Sequence, residues 1–213
     1  INMITLVLGG ARSGKSSFAE RLAYKQGKDE VIYIATAEAE DGEMKDRIKQ
    51  HRKDRPSSWR TIEESYQVGE EISSLPANKV ILLDCITLLI SNWLLKENKS
   101  DDEKSRSGDT NRSEESKNNK ESKGGQGQKI KNHAQNEDQI MDKMKEIVVA
   151  ASDKDLIIVS NEVGLGLVPS YKLGREYRDI AGRVNQYLAS QADKVYFSIA
   201  GLQVDIKDLA VDL

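Results

Sequence analysis

The chain has 213 residues and a formal net charge of −3, with 31% charged and 38% hydrophobic residues. That length has room for one domain with a sizeable core, and the nearly balanced charge supplies no global field to favour nucleic acid or an anionic membrane. A lone cysteine, Cys85, excludes an internal disulfide, and no apolar run reaches membrane-spanning length, so a cytoplasmic protein is expected.

The first apolar run, residues 4–8, predicts a buried strand and leads directly into Gly9-Gly10-Ala11-Arg12-Ser13-Gly14-Lys15-Ser16. These eight residues fit the phosphate-binding pattern G-x-x-x-x-G-K-[ST] at every fixed position. A helical pattern follows at once, with Phe18, Ala19, Leu22 and Ala23 on one face. Strand, glycine turn and helix start together form an anion site. Backbone N–H groups converge on phosphate oxygens, and the helix adds unsatisfied donors and its positive dipole end. Lys15 suits the β- and γ-phosphates, and the Ser16 hydroxyl suits Mg²⁺. A chance glycine-rich turn is the competing reading, and the surrounding strand and helix argue against it. A bound nucleoside triphosphate is expected.

Further strands are predicted at 31–35, 80–83, 156–160 and 194–199, short runs rich in Val and Ile without polar alternation. Such runs suit parallel strands covered on both faces. Helical patterns lie between them at 15–26, 43–52, 67–75, 86–95, 139–151 and 173–192. The alternation predicts an α/β domain with a mostly parallel sheet and its ligand at the C-terminal ends of the strands. One segment breaks the order. From Lys96 to about Asp138 the apolar residues are Ile130 and Ala134 alone, too few to offset the entropy of ordering the chain. It reads as a polar, disordered or loosely helical insertion at about 97–137 in a single domain spanning 1–213.

Residues just past each strand are the candidates for chemistry. Ala35-Thr36-Ala37 makes a small-residue turn after the second run. Asp84 ends the run at 80–83, where it could hold Mg²⁺ or cap the helix that follows. Cys85 beside it reads as a small buried residue. In the pattern at 43–52, His51 shares a face with Met44 and Ile48, and Arg52, Lys53 and Arg55 surround it with cations. Spacing leaves two roles open for His51, a satisfied structural imidazole or a nucleophile toward phosphorus. The loop Asn161-Glu162-Val163-Gly164-Leu165-Gly166-Leu167-Val168-Pro169 is placed to serve as a lid or substrate loop. The pattern at 173–192 carries Arg175, Arg178, Asp179, Arg183 and Asn185, which reads in part as a solvated face.

Six blocks in order resemble the bifunctional adenosylcobinamide kinase/adenosylcobinamide-phosphate guanylyltransferase family. They are the eight residues 9–16; Tyr33-Ile34-Ala35-Thr36; the stretch from Arg47 through His51, Arg52, Arg55, Pro56, Trp59 and Thr61 to Glu63; Leu83-Asp84-Cys85-Ile86-Thr87-Leu88; residues 159–166; and residues 178–186. The resemblance spans nearly the whole chain except the insertion, which is longer and more polar than that family needs. It implies a RecA-like P-loop fold, a homotrimer, and two reactions that consume GTP or ATP. Adenosylcobinamide is phosphorylated first, and its phosphate then receives GMP from GTP through a GMP-histidine. The matching histidine is His51. By the same matching, Gly9 to Ser16, Ala35 to Ala37, Arg52, Lys53, Asp54, Arg55, Glu63 and Asp84 are implied as nucleotide contacts. A single-activity P-loop kinase and a nucleotide-binding switch are the rival readings.

Overall fold

The computed structural model describes residues 2–38, 55–107 and 126–211, with backbone alone for 97–107 and 126–133. Seven strands form one sheet: β1 Ile4–Gly9, β2 Val31–Ala35, β3 Arg60–Glu63, β4 Val80–Asp84, β5 Asp155–Asn161, β6 Lys194–Ile199 and β7 Leu202–Asp205. The helices are α1 Lys15–Gly27, α2 Val68–Ser74, α3 Ile86–Ser107, α4 Gln126–Ala150 and α5 Lys172–Gln191. Strand order is β3-β2-β4-β5-β1-β6-β7, parallel throughout except for the antiparallel β6–β7 hairpin. The five expected strands and five of the six expected helices are present, so the α/β reading holds. The helix expected at 43–52 lies outside the described residues.

Alternate residues of each central strand feed two separate cores, because successive strand side chains point to opposite faces. Leu6, Leu8, Ile32, Ile34, Ile81, Leu83, Leu156 and Ile158 pack on one face against α2, α3, α4 and α5. Val7, Val31, Tyr33, Val80, Leu82, Ile157 and Val159 pack on the other against Ala19 and Ala23 of α1 and against Trp59. Both faces are dry, which explains runs with no polar alternation.

Two strands were not foreseen. Arg60-Thr61-Ile62-Glu63 is an edge strand whose Arg60, Thr61 and Glu63 are exposed, so it lacks an apolar run. β7 follows a two-residue turn in which Ala200 and Gly201 both have positive φ, 50° and 82°. That backbone matches the right-handed twist of a tight hairpin, and the glycine takes it without strain. Helical backbone enters the polar segment from both sides. The helix α3 continues to Ser107 and α4 begins at Gln126, since Lys, Glu and Gln propagate a helix already anchored by its buried half.

The helix α5 is not simply solvated on its polar side. Asn185 is buried, accepts a hydrogen bond from the Ser160 hydroxyl at 2.7 Å and donates to the Asn161 carbonyl at 3.1 Å. It ties α5 to the end of β5 where the sheet meets the candidate site. Asn185→Ala strands both partners, at a cost of about 1–3 kcal/mol. The variant should melt roughly 2–12 °C below the parent in a thermal scan. An unchanged melting temperature would show that these contacts contribute nothing.

Candidate functional site

The eight residues 9–16 leave β1 at the C-terminal edge of the sheet and enter α1. Gly14 has φ 88°, a left-handed backbone that excludes most side chains, and Arg12 takes φ 56°. Gly9 is required for a different reason. A Cβ there would lie 2.5 Å from the Ser13 hydroxyl oxygen and 2.6 Å from the Ser198 carbonyl. The turn closes on itself through the Ser13 N–H donating to the Gly10 carbonyl at 3.3 Å. From outside, the Glu162 N–H donates to the Gly9 carbonyl at 3.1 Å and the Gly201 N–H to the Ser13 carbonyl at 3.0 Å. The hairpin β6–β7, absent from the sequence expectation, is thus a brace for the phosphate loop.

The Lys15 side chain is buried and folds back to donate to the Gly10 carbonyl at 3.2 Å. Its charge is held over the loop rather than in bulk water. Ser16 stands half-buried on the first turn of α1, and Ala11 and Arg12 are exposed.

β5 lies between β1 and β4, so the loop and Asp84 stand two strand spacings apart, roughly 10 Å. Asp84 accepts a hydrogen bond from the Tyr33 hydroxyl at 3.0 Å. Burial pushes the Tyr33 phenol far above its ordinary value, and the Asp84 charge adds to this while Arg55 opposes it. Tyr33 therefore stays protonated and remains a donor to Asp84. The Arg55 guanidinium lies 3.6 Å from the centre of the Tyr33 ring, a cation–π contact. Tyr33 was within a recognised block but had no role assigned, because nothing in a strand sequence shows that its hydroxyl reaches across to the next strand.

Thr36 pins the neighbouring turn. Its hydroxyl donates to the Cys85 carbonyl at 2.8 Å and accepts from the Cys85 N–H at 2.9 Å. Its own carbonyl accepts from the Asn92 amide at 2.9 Å. Ala35, Thr36 and Ala37 thereby sit beside Asp84 at one rim, with Glu63 paired to Ala35 in register. Burial raises the Cys85 thiol above its usual range, and Asp84 reinforces the effect. A buried protonated thiol is no nucleophile. His51, Arg52, Lys53 and Asp54 lie outside the described residues.

The described residues at this rim include hard oxygen donors in Ser16 and Asp84, the buried cation of Lys15 and a braced turn. Among the described residues no three His, Cys, Asp or Glu side chains form a metal cage. That set fits Mg²⁺, which usually takes one or two protein oxygens and completes its shell with phosphates and water.

Gly9→Ala tests the loop. The added methyl overlaps a backbone carbonyl, so the turn must open. Affinity for a fluorescent GTP analogue should fall at least tenfold while circular dichroism keeps its parent shape. Undiminished affinity would show that the close approach at Gly9 does not shape the site.

Comparison with known proteins identifies relatives over nearly the whole chain. A family described as cobinamide kinase / cobinamide phosphate guanyltransferase matches residues 5–206. The bifunctional adenosylcobalamin biosynthesis protein CobU of Escherichia coli (strain K12) is 36% identical over 208 residues, covering 96% of this chain and 100% of that protein. CobP of Pseudomonas aeruginosa is 37% identical over 206 residues, covering 96% and 98%. CobU of Salmonella typhimurium (strain LT2) is 37% identical over 209 residues, covering 96% and 100%. Among solved structures, a prototypical ATPase of a bacterial type III secretion system overlaps with TM-score 0.47 at 12% identity, over 100% of this chain and 60% of that one. With a matching family model over nearly its whole length and relatives this similar, the chain belongs to the bifunctional cobinamide kinase/cobinamide phosphate guanylyltransferase family.

Proposed function

We propose that this chain phosphorylates adenosylcobinamide with GTP or ATP and then transfers GMP from GTP to the resulting phosphate, with His51 as the nucleophile of the second step. The observation that carries the reading is the braced phosphate loop with buried Lys15, facing Asp84 across one strand. In the kinase step, the aminopropanol hydroxyl attacks the γ-phosphorus and the nucleoside diphosphate leaves. Little covalent work falls to the protein, so charge neutralisation and in-line placement dominate. Lys15 and the N–H groups of residues 9–16 serve that need. Mg²⁺, held through Ser16 and Asp84, would supply further neutralisation of phosphate charge, and Tyr33 would fix the carboxylate that faces it.

The transferase step needs a nucleophile at the α-phosphorus. An imidazole nitrogen of His51 forms an N–P bond as pyrophosphate leaves. An oxygen of adenosylcobinamide phosphate then displaces the imidazole, giving adenosylcobinamide-GDP. Support comes from position in the chain. Arg55, four positions after His51, places its guanidinium over the ring that holds Asp84. Arg52, Lys53 and Asp54 fall in the same stretch, and with Glu63 and Ala35 to Ala37 they are proposed as nucleotide contacts.

The proposed assembly is a homotrimer in the cytoplasm. The exposed Leu202, Leu209 and Val211, on and beyond the edge strand β7, support cover by another copy. No helix among the described residues is long and apolar enough to cross a membrane.

Lys15→Ala should cut corrinoid phosphorylation by about 10²–10³-fold in a radiolabel transfer assay, with the fold retained. Unchanged turnover would remove the phosphate loop from the mechanism. Incubation with GTP labelled at the α-phosphate should leave label on the denatured protein, acid-labile and stable to mild base. His51→Asn should eliminate that label and the transferase step, and reduce kinase turnover far less. A labelled His51→Asn protein would reassign the nucleophile.

A further inference from the structure

Beside the phosphate site lies a groove of about 370 Å³ between the first turns of α3 and the start of α5. Leu88, Ser91 and Leu95 line one side, and Tyr171, Gly174 and Tyr177 the other. No residue that lines it carries a charge. The shape depends on Gly174, where a Cβ would come within 2.6 Å of the Tyr171 ring, so the ring can lie against the helix start only over glycine. Across the floor, the Tyr177 hydroxyl donates to the Thr87 carbonyl at 3.3 Å, and burial pushes that phenol up to about 12. The Thr87 hydroxyl in turn accepts from the Asn161 amide at 2.6 Å. Asn161 pairs with Gly9 in sheet register, where the phosphate loop begins. The floor of the groove is therefore tied to the start of the phosphate loop by two hydrogen bonds and one strand pairing. The loop after β5 leads to Tyr171 of the groove, and its Leu165, Leu167 and Val168 are 80%, 96% and 63% exposed.

We infer that this groove, with the apolar side chains of the loop at 163–171, seats the corrin ring of the acceptor during both transfers. The inference rests on the cobinamide reading above and names the surface that carries specificity for that substrate. The acceptor is a large macrocycle with apolar faces and neutral amide arms, and it must present one hydroxyl to a triphosphate. Its bulk cannot lie in the charged phosphate site, and it is too large to be enclosed, so a half-open, uncharged surface adjoining that site suits it. Leu88 and Leu95 offer apolar contact, while the hydroxyls of Ser91 and Tyr171 can bond amide groups. The larger groove by Trp93 and Tyr66 is a poorer match, because Lys96, Lys143, Glu70 and Glu146 line it.

The test uses the full-length protein and cobinamide itself, followed by its visible absorbance for binding and by phosphate transfer for turnover. Ser91→Trp fills the groove and Leu95→Glu charges it. Each should raise the cobinamide dissociation constant and KM at least tenfold, with GTP affinity within twofold of the parent. Tyr171→Ala, at a side chain 65% exposed, should raise them about threefold and keeps the test decisive if Ser91→Trp does not fold. Val149→Glu, at a 70% exposed position on α4, should change neither constant. Folded groove variants with parental cobinamide constants overturn the assignment. So does a shift to smaller oligomers in sedimentation, which would give the surface to a neighbouring subunit, or a parent protein that binds no cobinamide. A parent that binds cobinamide through this groove yet transfers no phosphate would keep the groove and overturn the function proposed above.

Discussion

A phosphate loop must hold N–H groups toward a ligand while the chain around them stays rigid without that ligand. Buried polar groups left unmade cost about 1–3 kcal/mol each, so an open anion site tends to collapse onto its own carbonyls. Here two of the turn's carbonyls are occupied from outside the loop. Glu162, at the end of β5, engages Gly9, and Gly201, in the hairpin turn, engages Ser13. Lys15 itself takes Gly10. The Gly9 and Ser13 carbonyls are thereby held by residues far away in sequence, and Gly10 is shared between the Ser13 N–H and the loop's own cation. Two buried hydroxyls beside Gly9, those of Ser13 and Ser198, have no hydrogen-bond partner among the described residues. Both residues line the space that a Cβ on Gly9 would enter.

Everything else at the rim follows from the parallel sheet that sets this turn in place. Because β1, β2, β4 and β5 run the same way, their last residues emerge along one edge. Cross-strand contacts then fix the emerging turns against one another. Thr36 holds the end of β2 to the start of α3, Tyr33 holds Asp84, and Asn185 holds the end of β5 to α5. Each is a polar group buried with its partner, so each adds position as well as stability. The four helices on one face and α1 on the other supply the apolar cover that makes those bonds strong.

The central strands were legible because burial on both faces leaves long Val and Ile runs that no helix of that length would need. The phosphate loop was legible because its chemistry fixes glycine, lysine and serine at set spacings. β3 was missed for the converse reason, since an exposed edge strand carries no hydrophobic signature beyond Ile62. The brace from β7 could not be read because its contact is made by backbone, at Gly201, whose identity says only that a turn is allowed. Asn185 read as one polar residue among several on α5. Only the packing of that helix on the end of β5 distinguishes it from exposed Arg183, which pairs with Glu137. The role of His51 came from resemblance and not from spacing, which left it open.

Two transfers from one kind of triphosphate raise a problem that the site's layout bears on. In the sequence proposed here the γ-phosphorus meets a hydroxyl in one step and the α-phosphorus the His51 imidazole in the other, and the two cannot approach along the same line. The described residues offer two distinct directions for such approaches. The groove opens between α3 and α5, on the face that buries Leu6, Ile81 and Leu83. Arg55, four residues past His51, lies over Tyr33, which belongs to the core on the opposite face. A triphosphate anchored by its β-phosphate on residues 9–16 would lie between these two directions. Anchoring at the middle phosphate serves either attack equally, since it neutralises both leaving groups, the diphosphate in one step and pyrophosphate in the other. On the proposed mechanism, one loop serves two chemistries if the hydroxyl and the imidazole approach from opposite faces of the sheet that carries it.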